Sequence, residues 1–284
     1  MHASNTVRQI VARGLALWAF TASSSAWAQS ASLPPPAQLL ATPVVTYQAF
    51  DEIWAGPSRM ALPDSLTQRS YALVLELGVS ERVALDATIG YSATNSAAFG
   101  GPQSDRGWTD SSVGLRWQLL NGREVGRPTG VPTLTARVGA IIAGTYRASL
   151  PFSAGDGGSG VEASLLVDER ALGGLGLRGE YGYRWRNHGI PQDLFGSGGL
   201  YRTFGPATVS GSYRATLGRS GPDIGDPGFE FSRLREVNHL LDVGLGLSHH
   251  GRAYQFFVAK SLRGQNTGDK LVVGAAVTFS HTLR

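Results

Sequence analysis

The stretch Arg69–Ser92, RSYALVLELGVSERVALDATIGYS, decides the fold of this chain. On its first arm, Tyr71 to Leu77, large apolar residues alternate with small or polar ones, and the second arm, Val83 to Tyr91, repeats the pattern. Only Gly78 to Glu81 separate the two arms. Side chains of a strand point to opposite faces in turn, so a period of two on both sides of a short connection is typical of a β-hairpin. We therefore predict a hairpin with one continuously apolar face.

The same alternation recurs along the rest of the chain and predicts twelve strands. Most of them are about as long as the 9–11 residues of a tilted transmembrane strand. The even number agrees with a bacterial outer-membrane barrel. The predicted strands are Val44–Trp54, Thr67–Leu77, Arg82–Ser92, Ser111–Leu120, Thr133–Arg147, Val161–Ala171, Leu177–Arg186, Gly198–Phe204, Ala207–Leu217, Val237–His249, Arg252–Leu262 and Lys270–Leu283.

The connections between these strands alternate in length, which predicts the orientation of the barrel. Outer-membrane barrels have short periplasmic turns and longer extracellular loops. The short connections are Gly78–Glu81, Leu172–Gly176, Gly205–Pro206 and His250–Gly251, with Asn121–Pro132 of medium length where a tight turn is expected. The long ones are Ala55–Leu66, Ala93–Asp110, Ala148–Gly160, Asn187–Ser197 and Gly218–Glu236.

Alternation alone does not distinguish a membrane barrel from a soluble one, whose apolar side faces inward. The near absence of lysine, with only Lys260 and Lys270, is unlike a surface that faces bulk water. Twelve strands also enclose more space than apolar side chains fill. The sequence thus predicts an all-β chain forming one antiparallel transmembrane barrel. Aromatic residues near the strand ends are expected to form its two girdles: Tyr71, Tyr91, Tyr146, Tyr183, Trp185, Trp117, Tyr254 and Phe279.

The N-terminus has the features of a secretory signal peptide over residues 1–28. Basic residues precede a short apolar run, and Ala26-Trp27-Ala28 matches an A-x-A cleavage pattern. The full chain has a formal charge of +4, and two of its arginines lie in the signal, so the mature chain has a charge near +2. This weak positive charge does not indicate nucleic-acid binding. Residues 29–43 are rich in Ser, Ala and Pro, and we expect an extended periplasmic lead-in too short to plug a pore. The barrel is expected over residues 44–284.

Strand phase places a set of charged residues inside the barrel. Buried charges are costly unless they are hydrated or paired, so the interior is expected to be wet or crossed by ion pairs. Arg178, Arg184 and Arg186 on one strand suggest a cationic ladder that screens solutes, and an interior network that merely holds the barrel's shape is an equal alternative. The predicted interior residues are Glu76, Asp86, Arg116, Arg137, Glu162, Asp168, Arg170, Arg178, Glu180, Arg184, Arg186, Arg214 and Asp242.

Three motifs suggest enzymatic or metal chemistry, and none is convincing. Gly174–Gly179 matches G-x-G-x-x-G, but no helix follows to hold a pyrophosphate. Ser248, His249 and His250 are adjacent at a turn, without a G-x-S-x-G elbow. The spacing of acidic residues in Gly218–Glu236 fits no EF-hand. We expect no catalytic residue, no cofactor and no metal site.

Three segments together resemble a known family. They are Phe50–Trp54 (FDEIW), Glu76–Leu85 (ELGVSERVAL) and Gly107–Leu119 (GWTDSSVGLRWQL). They are similar to the outer-membrane barrels named after the MetA-type phenol-degradation pathway, in which a glycine-turn-arginine hairpin precedes an Asp-x-x-x-Gly-Leu-x-Tyr/Trp strand. The resemblance covers the N-terminal third well and implies transport of small, often hydrophobic or aromatic compounds. It transfers no binding residue.

The sequence therefore favours a passive outer-membrane channel for a small solute. A closed barrel with a structural or surface-interaction role is the main alternative, and an outer-membrane lipid hydrolase is the third. Expected partners are outer-membrane lipid and lipopolysaccharide, the outer-membrane assembly machinery and the solute, but no nucleic acid.

Overall fold

A computed structural model describes residues 30–97, 103–122, 130–150, 153–170 and 174–283. They form a closed antiparallel barrel of twelve strands, as predicted. β4 and β5 both pair with β3 and together make one barrel strand, while β13 is a two-residue strand beside β1. The strands are β1 Gln38–Ala55, β2 Ser58–Ser80, β3 Val83–Ser96, β4 Gln103–Trp108, β5 Ser111–Leu120, β6 Thr133–Ile142, β7 Gly160–Arg170, β8 Leu175–Arg186, β9 Asp193–Phe204, β10 Ala207–Gly218, β11 Val237–His249, β12 Arg252–Gln265, β13 Thr267–Gly268 and β14 Leu271–Thr282.

The barrel closes through β1, which pairs with β2 on one side and with β14 on the other. Tyr47 illustrates the closure, because it pairs with Arg69 of β2 and with Val273 of β14. Closure leaves no sheet edge unpaired, which is the condition for a sheet to lie in lipid. No helix in the described part of the chain is long and apolar enough to cross a membrane.

The alternating pattern of the sequence is the alternation between the outside and the inside of the barrel. On β3, Leu85 and Ile89 are exposed, whereas Asp86 and Thr88 between them are buried. The apolar face is therefore the outer one, as a lipid-facing surface requires, and the polar face lines the interior.

The predicted long loop Ala55–Leu66 is wrong, because β1 and β2 continue through it as a hairpin. Only Gly56 and Pro57 separate the two strands, and Glu52 still pairs with Ala61. On the inner side of this extension Phe50, Ile53 and Leu66 form a buried apolar cluster. That cluster stabilises the hairpin. The prolines of the segment 55–66 had given it a composition typical of a loop.

The prediction for Tyr146 is also wrong, since β6 ends at Ile142 instead of Arg147. Beyond Ile142, the backbone N–H of Gly144 donates to the Asp110 carboxylate (3.0 Å) and that of Thr145 to the carbonyl of Trp108 (2.9 Å). These bonds turn the chain away from the barrel wall and bury the Tyr146 side chain. Of the other expected girdle residues, Tyr71, Trp117, Trp185 and Phe279 are exposed, and Tyr91, Tyr183 and Tyr254 are half-buried.

The beginning of the barrel differs from the expectation as well. β1 starts at Gln38, so residues 38–43 belong to the barrel and not to an unpaired lead-in. The expected signal peptide, residues 1–28, lies outside the described residues and remains a prediction.

Candidate functional site: the barrel interior

A continuous chain of ion pairs crosses the interior from β2 to β9. Arg116 contacts Glu76 (2.7 Å) and Asp86 (3.7 Å). Arg137 contacts Asp86 (2.8 Å) and also Glu162. The chain then continues from Glu162 to Arg184 (3.1 Å) and from Arg184 to Asp193 (3.9 Å). Acid and base alternate along it, so each charged group has a neighbour of opposite sign.

The centre of this chain is excluded from solvent. The side chains of Asp86 and Arg116 are 0% exposed and that of Arg137 is 3% exposed. Glycines make the space: a Cβ at Gly114 would lie 2.8 Å from the Arg137 guanidinium, and one at Gly139 would lie 3.0 Å from it. Buried charges on this scale persist only when paired and hydrogen-bonded, so the network fixes the shape of this wall.

Two smaller charged clusters lie in the interior beside this chain. Near the periplasmic end, the hydroxyl of Tyr201 donates to Asp168 (3.1 Å), and the guanidinium of Arg178 lies 4.8 Å from the Tyr201 ring. Between β10 and β11, Arg214 contacts both carboxylate oxygens of Asp242, at 2.8 and 2.6 Å.

The three arginines expected to form a ladder contact three different groups of residues. Arg178 belongs to the Tyr201 cluster, Arg184 to the ion-pair chain, and Arg186 pairs with Asp156 at the outer end. Glu180 lies in register with Leu166 and Ser197. The partners were not predictable, because strand phase gives the face of a side chain but not which inner-face residue it reaches across the sheet.

The opposite wall, from β10 through β14 to β1, carries far less charge. Apart from Arg214 and Asp242, the inner positions of its described residues are uncharged. They are hydroxyl, amide, small or apolar side chains, including Thr208, Ser210, Asn238, Gln255, Phe257, Ala259, Gly274, Leu40 and Val44. The interior is thus divided into a charged wall and a low-charge wall.

The segment Ser30–Ala37, which we call the strap, lies along the inner wall from β2 to β6 at the periplasmic end. Arg116 donates to the carbonyl of Ser30 (3.1 Å), and the Thr135 hydroxyl donates to the carbonyl of Ala31. A Cβ at Gly78 would lie 2.0 Å from the carbonyl oxygen of Pro35, so glycine is required where the strap passes β2. We expected an unpaired lead-in here, whereas these contacts hold the strap against the inner face of β2, β5 and β6. Sequence reasoning missed it, and Gly78 was the only signal.

The extracellular loops bond to one another and to the strand ends at the other end of the barrel. We call the described residues of 143–159, 187–192 and 219–236 the outer cap. The Tyr146 hydroxyl donates to Asp110 and accepts from the backbone N–H of Gly157 (2.6 Å). Burial, reinforced by the Asp110 carboxylate, raises the pKa of Tyr146, so its hydroxyl remains a donor at neutral pH. Between loops, Arg219 N–H donates to the Gln192 carbonyl (2.9 Å).

Asp223 holds the longest loop of the cap to the end of β12, and Asn266 there extends the contact to the β1–β2 hairpin. One of its carboxylate oxygens accepts from the side chains of Asn266 (2.8 Å) and Gln265 (2.9 Å). The amide oxygen of Asn266 in turn accepts from the backbone N–H groups of Gly56 and Ile224, both at 2.9 Å. The hydrogen bond from Asn266 is the largest cause that lowers the pKa of Asp223.

We predict that acid releases this loop. A lowered pKa means that the anchor is fully effective above the ordinary carboxyl pKa of about 4 and is lost as pH falls through the lower value of folded Asp223. The chain has no cysteine, so a spin label on Ser220→Cys reports this loop alone. Its mobility should rise below about pH 4, and Asp223→Asn should raise it at pH 7.

Asp51→Asn, at an exposed carboxylate, is the control and should leave the spectrum unchanged. A wild-type spectrum that does not change down to the lowest pH at which the barrel stays folded would contradict the prediction.

The motifs that suggested other chemistry do not form a site. The His249 and His250 rings lie 4.0 Å apart at the exposed β11–β12 turn, and within the described residues Ser248 has no side-chain hydrogen bond to either. Gly176 and Gly179 lie within β8, not in a turn before a helix. No group of three His, Cys, Asp or Glu side chains in the described part could hold a metal ion.

Comparison with solved structures identifies the architecture. The fold is similar to that of the COG4313 outer membrane channel from Pseudomonas putida F1, with a TM-score of 0.69 and 13% identity, over 90% of this chain and 100% of that one. The fold is that of an outer-membrane β-barrel. Together with the closed sheet and the apolar exterior, it places the chain in the cell outer membrane.

Two further solved barrels are less similar. The KdgM porin aligns with a TM-score of 0.49 and 11% identity, over 84% of this chain and 99% of that one. The CymD monoaromatic hydrocarbon channel aligns with a TM-score of 0.44 and 11% identity, over 88% and 90%. Neither a protein-family model nor a curated protein sequence matches the chain.

Proposed function

We propose that this protein is a passive channel for a small solute across the outer membrane. The observation that carries the proposal is the division of the interior into a charged wall, held rigid by its ion pairs, and a low-charge wall of hydroxyl, amide and apolar groups. A rigid wall keeps a passage open, while the facing wall offers weak contacts that do not trap a solute.

The low-charge wall favours a solute without net charge. Apolar side chains such as Phe257, Leu40 and Val44 lie beside the hydroxyls and amides there. The resemblance to the MetA-type barrels supports the same class, small hydrophobic or aromatic compounds. A charged solute would instead be attracted to the ion-pair chain and compete with its salt bridges.

A structural role is the second candidate, because the strap lies inside the barrel at the periplasmic end and the loops of the outer cap bond to one another at the other end. In that case the fully paired interior would serve only to hold the barrel's shape. The two roles differ in whether water and ions cross the protein.

Single-channel conductance of the refolded protein in a planar bilayer distinguishes these roles. A channel should give discrete steps, and Arg184→Gln should shift the ion selectivity toward cations, since Arg184 has the most exposed side chain among the arginines of the ion-pair chain, at 26%. Arg252→Gln, at the exposed periplasmic turn, is the matched control and should leave selectivity unchanged. A silent bilayer from a folded, heat-modifiable barrel would contradict the channel and favour the structural role.

A further inference from the structure

Two arginines lie in one row on the outer surface of the barrel. Strand register aligns Tyr47 of β1, Arg69 of β2, Ala93 of β3 and Arg106 of β4 side by side. Both arginines are exposed and share the outward phase of their strands. We call Arg69 and Arg106, with Ala93 between them, the arginine row.

A row of aromatic residues fixes the height of the arginine row relative to the membrane. The neighbouring outward positions in the same register are Val45, Tyr71, Tyr91 and Trp108. Tyr71 and Trp108 are 53% and 54% exposed, and the rings of Tyr91 and Trp108 pack edge to face at 5.8 Å. Exposed Tyr and Trp side chains mark the membrane interface. The arginine row lies two residues, about 7 Å, farther toward the extracellular end of each strand. This places it at the level of the lipid headgroups.

The guanidinium groups of this row are available to a ligand. Neither Arg69 nor Arg106 has an ion pair or side-chain hydrogen bond within the described residues. Other cations on the outer face do have partners: Arg59 contacts Glu52 (3.3 Å) and Lys260 contacts Asp269 (2.8 Å). The small side chain of Ala93 leaves the space between the arginines open. Their backbones are two strand spacings apart, about 10 Å, so both long side chains can reach one anionic group.

A polar cleft of about 330 Å³ borders the row on its extracellular side. Hydroxyl and amide groups line it, from Ser65, Thr67, Asn95 and Ser104. Asp64 also lines the cleft, and one oxygen of its carboxylate accepts from the backbone N–H of Ser65 (2.7 Å). Groups of this kind hydrogen-bond to sugar hydroxyls.

We propose that the arginine row and the cleft bind the phosphorylated, glucosamine-based lipid of the outer leaflet, the lipid A part of lipopolysaccharide. Arginine matches phosphate oxygens with two parallel donors, which makes it the preferred side chain for phosphate recognition. The phosphate lies between the two guanidiniums, the acyl chains lie along the aromatic row and the apolar band, and the sugar meets the cleft. The site is on the outer face and is independent of the interior passage.

Lipid retention measured by native mass spectrometry tests the site. The protein is incubated with lipid A, with lipid A lacking both phosphates, or with phosphatidylglycerol. It is then released from detergent in the mass spectrometer, and the bound lipid is measured. The wild type should retain lipid A about tenfold more strongly than either comparison lipid. Arg69→Gln/Arg106→Gln should lose that preference. Arg252→Gln should keep it, since this exposed arginine lies against the Phe279 ring at the opposite end of the barrel.

A second variant tests the site independently, in case the double mutant does not fold. Ala93→Asp keeps both arginines but places a carboxylate between them, so it should abolish the preference while the barrel remains heat-modifiable on gels. Equal retention of phosphorylated and dephosphorylated lipid by the wild type would overturn the proposal. Equal retention of phosphatidylglycerol would overturn the assignment to a glycolipid, and so would an undiminished preference in folded Arg69→Gln/Arg106→Gln protein.

Discussion

Asp86→Leu is expected to lower the free energy of unfolding of the barrel by about 3–5 kcal/mol, which is the usual cost of breaking a buried ion pair from one side. Asp86 is fully buried between Arg116 (3.7 Å) and Arg137 (2.8 Å), and Arg137 reaches it through two nitrogens. Loss of this carboxylate leaves two excluded guanidiniums with only the outer carboxylates, Glu76 and Glu162, to balance them. Equilibrium unfolding of the refolded protein in lipid or detergent measures the change.

A second substitution should restore most of the lost stability. In Asp86→Leu/Arg137→Met the ion-pair chain loses one acid and one base. Glu76 still pairs with Arg116, and Glu162 still pairs with Arg184. Replacement of a buried ion pair by apolar groups of similar volume is close to neutral, so we expect recovery to within about 1 kcal/mol of the wild type. Acids and bases alternate along the ion-pair chain, so this double substitution leaves every remaining charged group with a partner of opposite charge.

Asp51→Ala supplies the control for both variants. Asp51 is exposed on β1, and surface substitutions usually change stability by less than about 0.5 kcal/mol. If Asp86→Leu costs no more than this control, the buried pairs do not determine stability. If the double variant is as unstable as the single one, the cost arises from packing around Gly114 and not from charge.

The twelve strands were predictable because membrane and interior impose opposite demands on successive side chains. Leu85 faces lipid and Asp86 faces the interior, so apolar and polar residues alternate in the sequence with a period of two. The same period gave the face of Arg116 and Arg137. It did not give their partners, because a strand's phase says nothing about which inner-face group a long side chain meets across several strands.

The remaining differences arose where backbone contacts determine the structure. The strap is held largely through the carbonyls of Ser30 and Ala31, which any residue type would present. Tyr146 continues the period of β6 in sequence, but backbone bonds to Asp110 and Trp108 have already turned the chain inward. In the β1–β2 hairpin a composition typical of loops is overridden by the buried Phe50 cluster. None of these contacts has a periodic signature.

Removal of residues 30–34 of the strap is expected to raise the single-channel conductance at least about twofold, since a twelve-stranded barrel is wider than one that its own side chains fill. The test protein begins at Pro35 and so lacks the carbonyl acceptors of Arg116 and Thr135. The pairing of β1 with β2 and β14 from Gln38 onward is retained. Hydrogen bonds of this kind contribute about 1 kcal/mol each, so the shortened barrel should still fold.

A point substitution separates displacement of the strap from its removal. Thr135→Val takes away the hydroxyl that donates to Ala31 and leaves the strap in the chain, so openings should become more frequent while the size of the full opening stays that of the intact protein. Thr208→Val is the matched control, a buried threonine on the low-charge wall that bonds only with Thr203 (3.1 Å) among the described residues, and its openings should be those of the wild type. If the shortened chain conducts no better than the intact one, the strap does not limit the passage, and the constriction must lie instead where Tyr146 and Asp223 hold the outer cap over the mouth.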